Sequence, residues 1–223
     1  MRQFIKKLSP RLEFAIVTAI AFGYIIFTSL LLLLSGVRRV NFTTGQVLRG
    51  IVVEVLILAL VIAILRTRGW RLRRLGLQFS WGAAAAGIPL FIIYLLVYWV
   101  TATMVLIVYP AARTAWAFTA TSNAPFAVML LFIVVNSLFE ELTVTAYVIG
   151  ALEADGPGLA ITASTLLRFS YHLYQGPLAS LSVISLGLLF GTMFWRWRNL
   201  WPLMVAHTIA NVVVFTLNPQ RVN

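Results

Sequence analysis

Seven apolar runs divide this chain, and each is about as long as a lipid bilayer is thick. The runs cover residues 14–37, 47–65, 81–109, 125–150, 159–175, 178–195 and 200–217. Because a helix needs about 20 apolar residues to cross the hydrocarbon core, they predict an all-α, polytopic membrane bundle of about seven transmembrane helices. Only 10% of the residues are charged, whereas roughly a quarter are charged in soluble domains.

The polar segments between the runs are short, so we expect residues 1–223 to form a single integral membrane domain. In it, residues 1–124 would supply three scaffold spans and residues 125–217 four spans that carry the functional residues. The run 14–37 is too long for the core of a signal peptide and lacks a small-residue cleavage site, so we interpret it as the first span. The absence of cysteine excludes disulfides, thiolate metal sites and a cysteine nucleophile.

The net charge of +11 arises from basic residues that lie between the apolar runs. Because these residues do not form one basic face, we interpret them as topology determinants and expect no nucleic-acid partner. Eleven of the 17 Lys and Arg residues fall on the side of the N-terminus. This bias predicts a cytoplasmic N-terminus, in a cell membrane that we expect to be the bacterial cytoplasmic membrane.

Two adjacent carboxylates, Glu140 and Glu141, interrupt the fourth apolar run. A charged side chain at that depth costs at least about 2.5–3.5 kcal/mol, so the pair indicates a functional site. Neighbouring residues point about 100° apart around a helix, so we expect one carboxylate to face a cavity and the other a neighbouring helix. Glu54 in the second run is interpreted as a locally paired or water-bathed carboxylate, not a catalytic one.

Both histidines of the protein, His172 and His207, lie in apolar runs of its last third. His207 and Asn211 are four residues apart and therefore share one helix face, and the same spacing relates Arg168 to His172. A straight fifth helix would carry His172 too far from Glu140. We therefore predict that this helix starts below the hydrocarbon boundary or is strongly tilted, and that the turn at residues 176–177 lies inside the protein.

A carboxylate, two imidazoles and an amide suffice to hydrolyse a peptide bond. A glutamate can take a proton from water while histidine or asparagine hydrogen bonds hold the developing oxyanion. The alternative is a zinc site formed by Glu140, His172 and His207, with one position left open for water. The spacing differs from that of a helical H-E-x-x-H zinc site, which favours the metal-free route.

Three short motifs in residues 136–211 resemble those of the CPBP intramembrane endopeptidases. This family, also called the CAAX-protease and bacteriocin-processing or Abi family, is related to the type II CAAX prenyl endopeptidases. Its motifs are E-E-x-x-x-R, F-x-x-x-H and H-x-x-x-N/D. The corresponding segments here are Glu140-Glu-Leu-Thr-Val-Thr145, Arg168-Phe-Ser-Tyr-His172 and His207-Thr-Ile-Ala-Asn211.

The resemblance implies that Glu140 activates the water and Asn211 helps to hold the oxyanion. By the same resemblance His172 and His207 line the cavity, Glu141 supports the site, and the scissile bond enters from the cytoplasmic half of the membrane. Thr145 departs from the family pattern by replacing the motif arginine, and Arg168 replaces the motif phenylalanine. We expect Arg168 to supply the missing positive charge by pairing with Glu141.

The sequence predicts an intramembrane protease that acts on a peptide or membrane-anchored protein substrate. One alternative is an inactive relative that serves as a membrane scaffold or immunity factor. Another is a proton-coupled transporter, because buried carboxylates and histidines also form proton relays. The motifs specify neither a substrate sequence nor an oligomeric state.

Overall fold

The computed structural model describes residues 7–113 and 118–217, and in these ranges the chain is almost entirely helical. The main helices are α1 (Pro10–Ser35), α2 (Thr44–Thr67), α3 (Trp81–Val108), α4 (Phe126–Ala151), α5 (Pro157–Ser170), α6 (Pro177–Trp197) and α7 (Trp201–Leu217). α3 has a one-residue turn at Ala86. The short elements are strands β1 (Arg39–Phe42) and β2 (Thr119–Ser122) and 3-10 turns at Pro110–Arg113, Glu153–Asp155 and Leu173–Gln175. The predicted all-α class is confirmed.

Five of the described helices are long and apolar enough to cross a membrane: α1, α2, α3, α4 and the part of α6 from Ala179 to Trp197. α7 is apolar but shorter. α5 has 14 residues and is therefore only about 21 Å long. The chain is thus a multi-pass membrane protein, and seven complete spans remain a prediction.

Polar residues set the helix starts. Ser9 and Ser80 accept hydrogen bonds from backbone amides in the first turns of α1 and α3, which satisfies donors that have no partner within the helix. Thr43 and Gln46 form a reciprocal capping box at the start of α2. A Gly-Pro pair precedes or opens both α5 and α6, with proline in the first helical turn, where its missing N–H costs no helical hydrogen bond.

The connections between helices lie at two opposite ends of the bundle. At one end β1 and β2 pair in parallel, so the α1–α2 and α3–α4 connections adjoin. The Phe118 amide donates to the Gln175 carbonyl oxygen, which brings the α5–α6 connection to the same end.

The other three connections meet at the opposite end of the bundle. The Leu200 amide donates to the Gly76 carbonyl oxygen, and Arg198 forms an ion pair with Glu153 at 2.8 Å. The ends therefore alternate as a bundle of spanning helices requires. Which end is cytoplasmic stays a prediction, and the terminal charges on which it partly depends lie outside the described residues: Arg2, Lys6 and Arg221.

The second half of α4 is the centre of the bundle. Every residue from 139 to 150 is buried, and α2, α5 and α7 all contact this helix or its extension. α3, in contrast, exposes most of its apolar side chains, as expected for a lipid-facing span. The carboxylate pair therefore sits where the largest number of helices can supply partners.

The fifth helix is shorter than the sequence predicts. It ends at Ser170 and is followed by Tyr171, His172 and the turn Leu173–Gln175, so His172 lies in a turn and not in a helix. Gly176 has φ +89°, which ends helical geometry before Pro177 starts α6. Gly176 is buried, and α1 packs on the turn that precedes it. The prediction that this turn lies inside the protein is confirmed.

Candidate active site

The backbone of α4 changes from α-helix to π-helix at the glutamate pair. The π segment runs from Glu141 to Tyr147. Two hydroxyls bind backbone oxygens at or beside it: Thr143 donates to the Phe139 carbonyl at 2.6 Å, and Ser164 of α5 donates to the Val144 carbonyl at 2.8 Å. π segments are rare and occur frequently at functional sites. The π segment therefore indicates a functional site in the same stretch of α4 that the buried glutamate pair indicates in the sequence.

Arg168 joins both glutamates. Its Nη1 atom donates to Glu140 Oε2 at 2.9 Å, and its Nη2 atom donates to Glu141 Oε1 at 2.7 Å. The guanidinium is 1% exposed. The expected pairing with Glu141 is present, and the same guanidinium also binds Glu140. The rigid fork of guanidinium donors lets both meet one side chain.

Thr145, which stands in place of the motif arginine, belongs to the same network. Its hydroxyl donates to Glu141 Oε2 at 2.7 Å and accepts a hydrogen bond from Arg168 Nη2 at 3.1 Å. The positive charge beside the glutamates is thus supplied by Arg168 of α5, and Thr145 links Arg168 to Glu141. Removing one member of such a buried group leaves an uncompensated charge, which typically costs about 3–5 kcal/mol.

Glu141 is fully buried, and both of its oxygens are occupied. Oε1 lies 2.8 Å from His207 Nδ1 on α7 and also accepts from Arg168, while Oε2 accepts from Thr145. A carboxylate enclosed in this way has no free oxygen with which to receive a proton from water. Its geometry fits the supporting position expected from the sequence, with His207 as the group that it holds.

Glu140 differs from its neighbour because only one of its oxygens is engaged. Oε2 accepts hydrogen bonds from Arg168 and from the Tyr171 hydroxyl, the latter at 2.8 Å. Oε1 accepts no hydrogen bond from any residue in the described part of the chain. The residue keeps 7% exposure. Glu140 therefore has the free oxygen that a water molecule requires.

The remaining predicted residues lie beside this network. The His172 ring is half-buried, packs 4.5 Å from the Tyr171 ring, and lies with Nδ1 2.9 Å from the Arg168 carbonyl oxygen. Asn211 follows His207 by one turn of α7 and is half-buried. Its side chain makes no hydrogen bond to other residues within the described ranges. Contacts link every predicted site residue except Asn211, which is related to the site by helical spacing.

In both histidines Nδ1 contacts another residue of the site, which leaves Nε2 as the ring nitrogen available to a substrate. His172 Nδ1 lies 2.9 Å from the Arg168 carbonyl oxygen, and His207 Nδ1 faces a carboxylate oxygen of Glu141. A carbonyl or an ionised carboxylate can only accept, so each Nδ1 atom carries the proton. Each Nε2 atom is then an acceptor when the ring is neutral and a donor when the ring is protonated.

The alternative zinc site stays a prediction, and the described residues offer no arrangement that supports it. No group of three or more histidine, aspartate or glutamate side chains is placed to hold a metal ion among residues 7–113 and 118–217. The proposed ligand Glu140 is bonded to the Arg168 guanidinium, whose positive charge would repel a second cation from the same oxygen. We therefore derive no chemical step through a metal.

The sequence interpretation missed Tyr171. This tyrosine is buried, donates to Glu140 and stacks on Phe22 of α1 with ring centroids 5.0 Å apart. It lies inside the second motif, one residue before His172, but the motif specifies only its first and last residues. A polar aromatic residue in an apolar helix next to a predicted site histidine was the available signal.

Glu54 has a partner that its local sequence does not reveal. Asn136 of α4 donates through Nδ2 to Glu54 Oε1 at 2.9 Å, so the expected local pairing is replaced by a contact between α2 and α4. Asn136 precedes Glu140 by four residues and lies on the same helix face. Glu54 is therefore bound to the helix face that carries Glu140, but its hydrogen bond to Asn136 joins α2 to α4 and does not contact the Arg168 network.

The matched family agrees with the motifs. Residues 121–213 match the family model described as Rce1-like, type II CAAX prenyl endopeptidase Rce1-like, and this segment contains the whole network around Arg168. The resemblance drawn from the three motifs is confirmed for this segment. No curated protein and no solved structure matches the chain. The family match supports a protease function of the CAAX-type intramembrane kind.

Proposed function

We propose, from the Rce1-like character of residues 121–213, that this multi-pass membrane protein is an intramembrane endopeptidase. Its substrate is a peptide or a membrane-anchored protein, and the reaction is hydrolysis of one peptide bond. The observation that carries the proposal is Glu140, a buried carboxylate with one oxygen held by Arg168 and Tyr171 and the other unoccupied.

Glu140 acts as the general base. A water molecule donates a hydrogen bond to Oε1 and gives up its proton there as its oxygen attacks the carbonyl carbon of the substrate. The two hydrogen bonds to Oε2 fix the carboxylate in position, and the Arg168 charge favours the ionised form that can accept a proton. His172, which packs on Tyr171, lines the same cavity and helps to orient the water.

His207 and Asn211 stabilise the oxyanion that forms on the carbonyl oxygen. The Glu141 carboxylate lies against His207 Nδ1 and so orients the ring, which donates to the oxyanion through Nε2–H in its protonated form. The Asn211 amide supplies a second donor from the next turn of α7. Loss of one such donor typically lowers kcat about 10²–10³-fold.

The tetrahedral intermediate then collapses with the atoms in balance. Glu140 returns the proton to the nitrogen of the leaving amine, the C–N bond breaks, and the products are a carboxylic acid and an amine, which become a carboxylate and an ammonium ion by proton exchange. No covalent enzyme intermediate forms, which is consistent with a chain that contains no cysteine. The general base is regenerated in its ionised form beside Arg168.

The replacement of the motif arginine by Thr145 does not remove the positive charge from the site. Arg168 contacts both glutamates and Thr145, so α5 supplies the positive charge that α4 lacks. This contact favours an active enzyme over the inactive scaffold or immunity factor. The first helix also supports the site, because Phe22 of α1 packs on Tyr171.

We further propose that the N-terminus and the α2–α3 connection lie on the cytoplasmic side of a bacterial cytoplasmic membrane. The bias of basic residues supports this orientation, and the clustering of the α2–α3, α4–α5 and α6–α7 connections at one end is compatible with it. The substrate would enter from that half of the bilayer.

A proteolysis assay in liposomes tests the proposed function. Purified wild type, Glu140→Ala and His207→Ala are reconstituted at equal density with a panel of membrane-anchored test proteins and C-terminal peptides, lipidated and unlipidated, and the products are identified by mass spectrometry. Glu54→Gln serves as the control, since it alters a half-buried carboxylate that makes no hydrogen bond to the Arg168 network. We expect turnover by wild type and the control only. Equal turnover by Glu140→Ala would refute the mechanism, and no turnover by any form would favour the scaffold.

A further inference from the structure

A basic pocket lies at the end of the bundle where the α2–α3 connection runs. It has a volume of about 320 Å³ and is lined by Gly69, Arg71, Arg73 and Arg74. This volume falls at the lower end of the range for small-ligand sites, roughly 300–1,000 Å³. The segment from residue 68 to residue 80 contains no acidic residue, so the pocket favours an anion.

The pocket is held in a fixed shape by contacts to the bundle. Arg74 Nη2 donates to the Gly150 carbonyl oxygen of α4 at 3.0 Å, and its guanidinium lies 4.0 Å from the centre of the Trp70 ring. Trp70 in turn donates to Glu13 of α1 at 3.1 Å. Backbone hydrogen bonds close successive turns through this segment, including one from the Arg74 amide to the Arg71 carbonyl oxygen. The lining backbone is therefore preorganised.

Two of the lining arginines carry a positive charge that is not paired within the described part of the chain. The side chains of Arg71 and Arg73 are exposed and make no hydrogen bond or ion pair with other residues of the described part of the chain. Arg74 is already bound to α4. A ligand that enters the pocket would thus meet two unpaired guanidinium groups, which bind phosphate oxygens in a bidentate manner.

The surroundings place the pocket at the level of lipid headgroups. It follows the last residue of α2 and precedes Trp81, the first residue of α3. Trp81 is 83% exposed, and Leu72 and Phe79 are each about half exposed. Exposed tryptophan and phenylalanine at the end of a span, next to arginine, are typical of the membrane–water interface.

We propose that this pocket binds the headgroup of an anionic phospholipid. Arg71 and Arg73 contact the phosphate, while Leu72, Phe79 and Trp81 lie against the acyl chains and glycerol of the same leaflet. A basic pocket beside transmembrane helices is suited to such headgroups because membrane and protein charges are then opposite. The site is separate from the glutamate network, and it does not depend on the proposed proteolysis.

The bound lipid would also stabilise α4, the helix that carries the glutamates. Trp70 packs on Tyr147, at the end of the π segment, with ring centroids 5.3 Å apart, and Arg74 binds Gly150 a little further along α4. A headgroup that holds Arg71 and Arg73 in place restrains these two contacts. We therefore expect the lipid to raise the unfolding temperature of the whole chain, since a ligand that binds only the folded state stabilises it.

Titration with short-chain lipids tests the proposal. The full chain in neutral detergent is titrated with dioctanoyl phosphatidylglycerol or dioctanoyl phosphatidylcholine, and binding is followed by tryptophan fluorescence and unfolding temperature. The variant Arg71→Gln/Arg73→Gln is compared with Arg39→Gln/Arg49→Gln, which removes the same charge from exposed arginines on another part of the surface. Because each basic residue near anionic lipid contributes roughly 1 kcal/mol, the first variant should bind phosphatidylglycerol roughly 30-fold more weakly.

The control variant should bind within about threefold of wild type, and phosphatidylcholine should bind weakly to every form. Equal affinity of wild type and Arg71→Gln/Arg73→Gln would overturn the proposal, and so would equal affinity for the two lipids. If glycerol phosphate or an acidic peptide binds as tightly as phosphatidylglycerol, the pocket is not a lipid site. Arg71→Lys/Arg73→Lys keeps the charge but loses the bidentate geometry, so its affinity should lie between those of wild type and the glutamine variant, and this tests the same point if the glutamine variant does not fold.

Discussion

Arg168 of α5 donates to Glu141 of α4 at 2.7 Å, although the two residues are 27 positions apart in sequence. The same guanidinium binds Glu140, so a single buried cation stabilises two adjacent carboxylates in the apolar core of a membrane protein. Further contacts attach to this centre through Thr145, His207, Tyr171 and the backbone of Arg168 itself. The network holds an arrangement in which only one carboxylate oxygen stays open.

The first prediction concerns the charge balance of this centre. Arg168→Ala should lower stability by about 3–5 kcal/mol, because it leaves two carboxylates buried without their cation. Arg168→Ala/Glu141→Gln should recover part of that loss, since one of the two negative charges is gone. Unfolding temperatures in detergent measure both effects. If the double variant is no more stable than the single one, Arg168 does not act by pairing with Glu141.

The second prediction concerns Tyr171 as a positioning residue for Glu140. Tyr171→Phe keeps the stack on Phe22 but removes the hydrogen bond to Oε2, so stability should change by only about 1 kcal/mol. Once a substrate is known, kcat should fall about tenfold while KM stays unchanged, because the substrate does not contact the hydroxyl. Tyr174→Phe, which removes a hydroxyl from the neighbouring turn, is the matched control. A parallel change of KM in Tyr171→Phe would contradict the positioning role.

The third prediction separates the two nitrogens of His207. His207→Asn places an amide donor near the position of Nδ1, where it can still meet Glu141, but supplies nothing at the position of Nε2. The variant should therefore fold with little loss of stability and lose about 10²–10³-fold in kcat. His207→Gln, which instead places a donor near Nε2, should keep more activity. The reverse order of the two variants would remove His207 from the oxyanion site.

The fourth prediction moves the arginine to its place in the family motif. Arg168→Phe alone should be destabilised, because it removes the cation from both glutamates. Thr145→Arg/Arg168→Phe should regain much of the lost stability, since the new arginine lies one turn after Glu141 on the same helix. Thr145→Arg alone adds a second buried guanidinium and should be less stable than wild type. No recovery in the double variant would mean that α5 must supply the charge.

Much of the architecture was accessible from the sequence because it depends on local composition. Apolar runs as long as a bilayer is thick predict helices, and a four-residue spacing predicts shared helix faces, as for His207 and Asn211. The pairing of Arg168 with Glu141 was also accessible, since a buried charge requires a partner. These inferences use only chain geometry and the cost of burying charge.

The rest depended on tertiary contacts that no local pattern encodes. The convergence of Glu140 and Glu141 on one guanidinium occurs at the start of a π segment, whereas an ideal α-helix directs them about 100° apart. The early end of α5 leaves His172 in a turn whose position is fixed by α1 and Phe118. The hydrogen bonds of Tyr171 to Glu140 and of Asn136 to Glu54 form only when other helices approach.

If Glu140 delivers a water molecule to a peptide bond, hydrolysis in ¹⁸O-labelled water places oxygen from that water in the product. Wild type, Glu140→Gln and the control Glu54→Gln are compared in liposomes, with the new carboxyl terminus of the product analysed by mass spectrometry. We expect one ¹⁸O atom per cleavage in wild type and control, and a rate at least about 100-fold lower in Glu140→Gln. Labelled product formed by Glu140→Gln at the wild-type rate would contradict this mechanism.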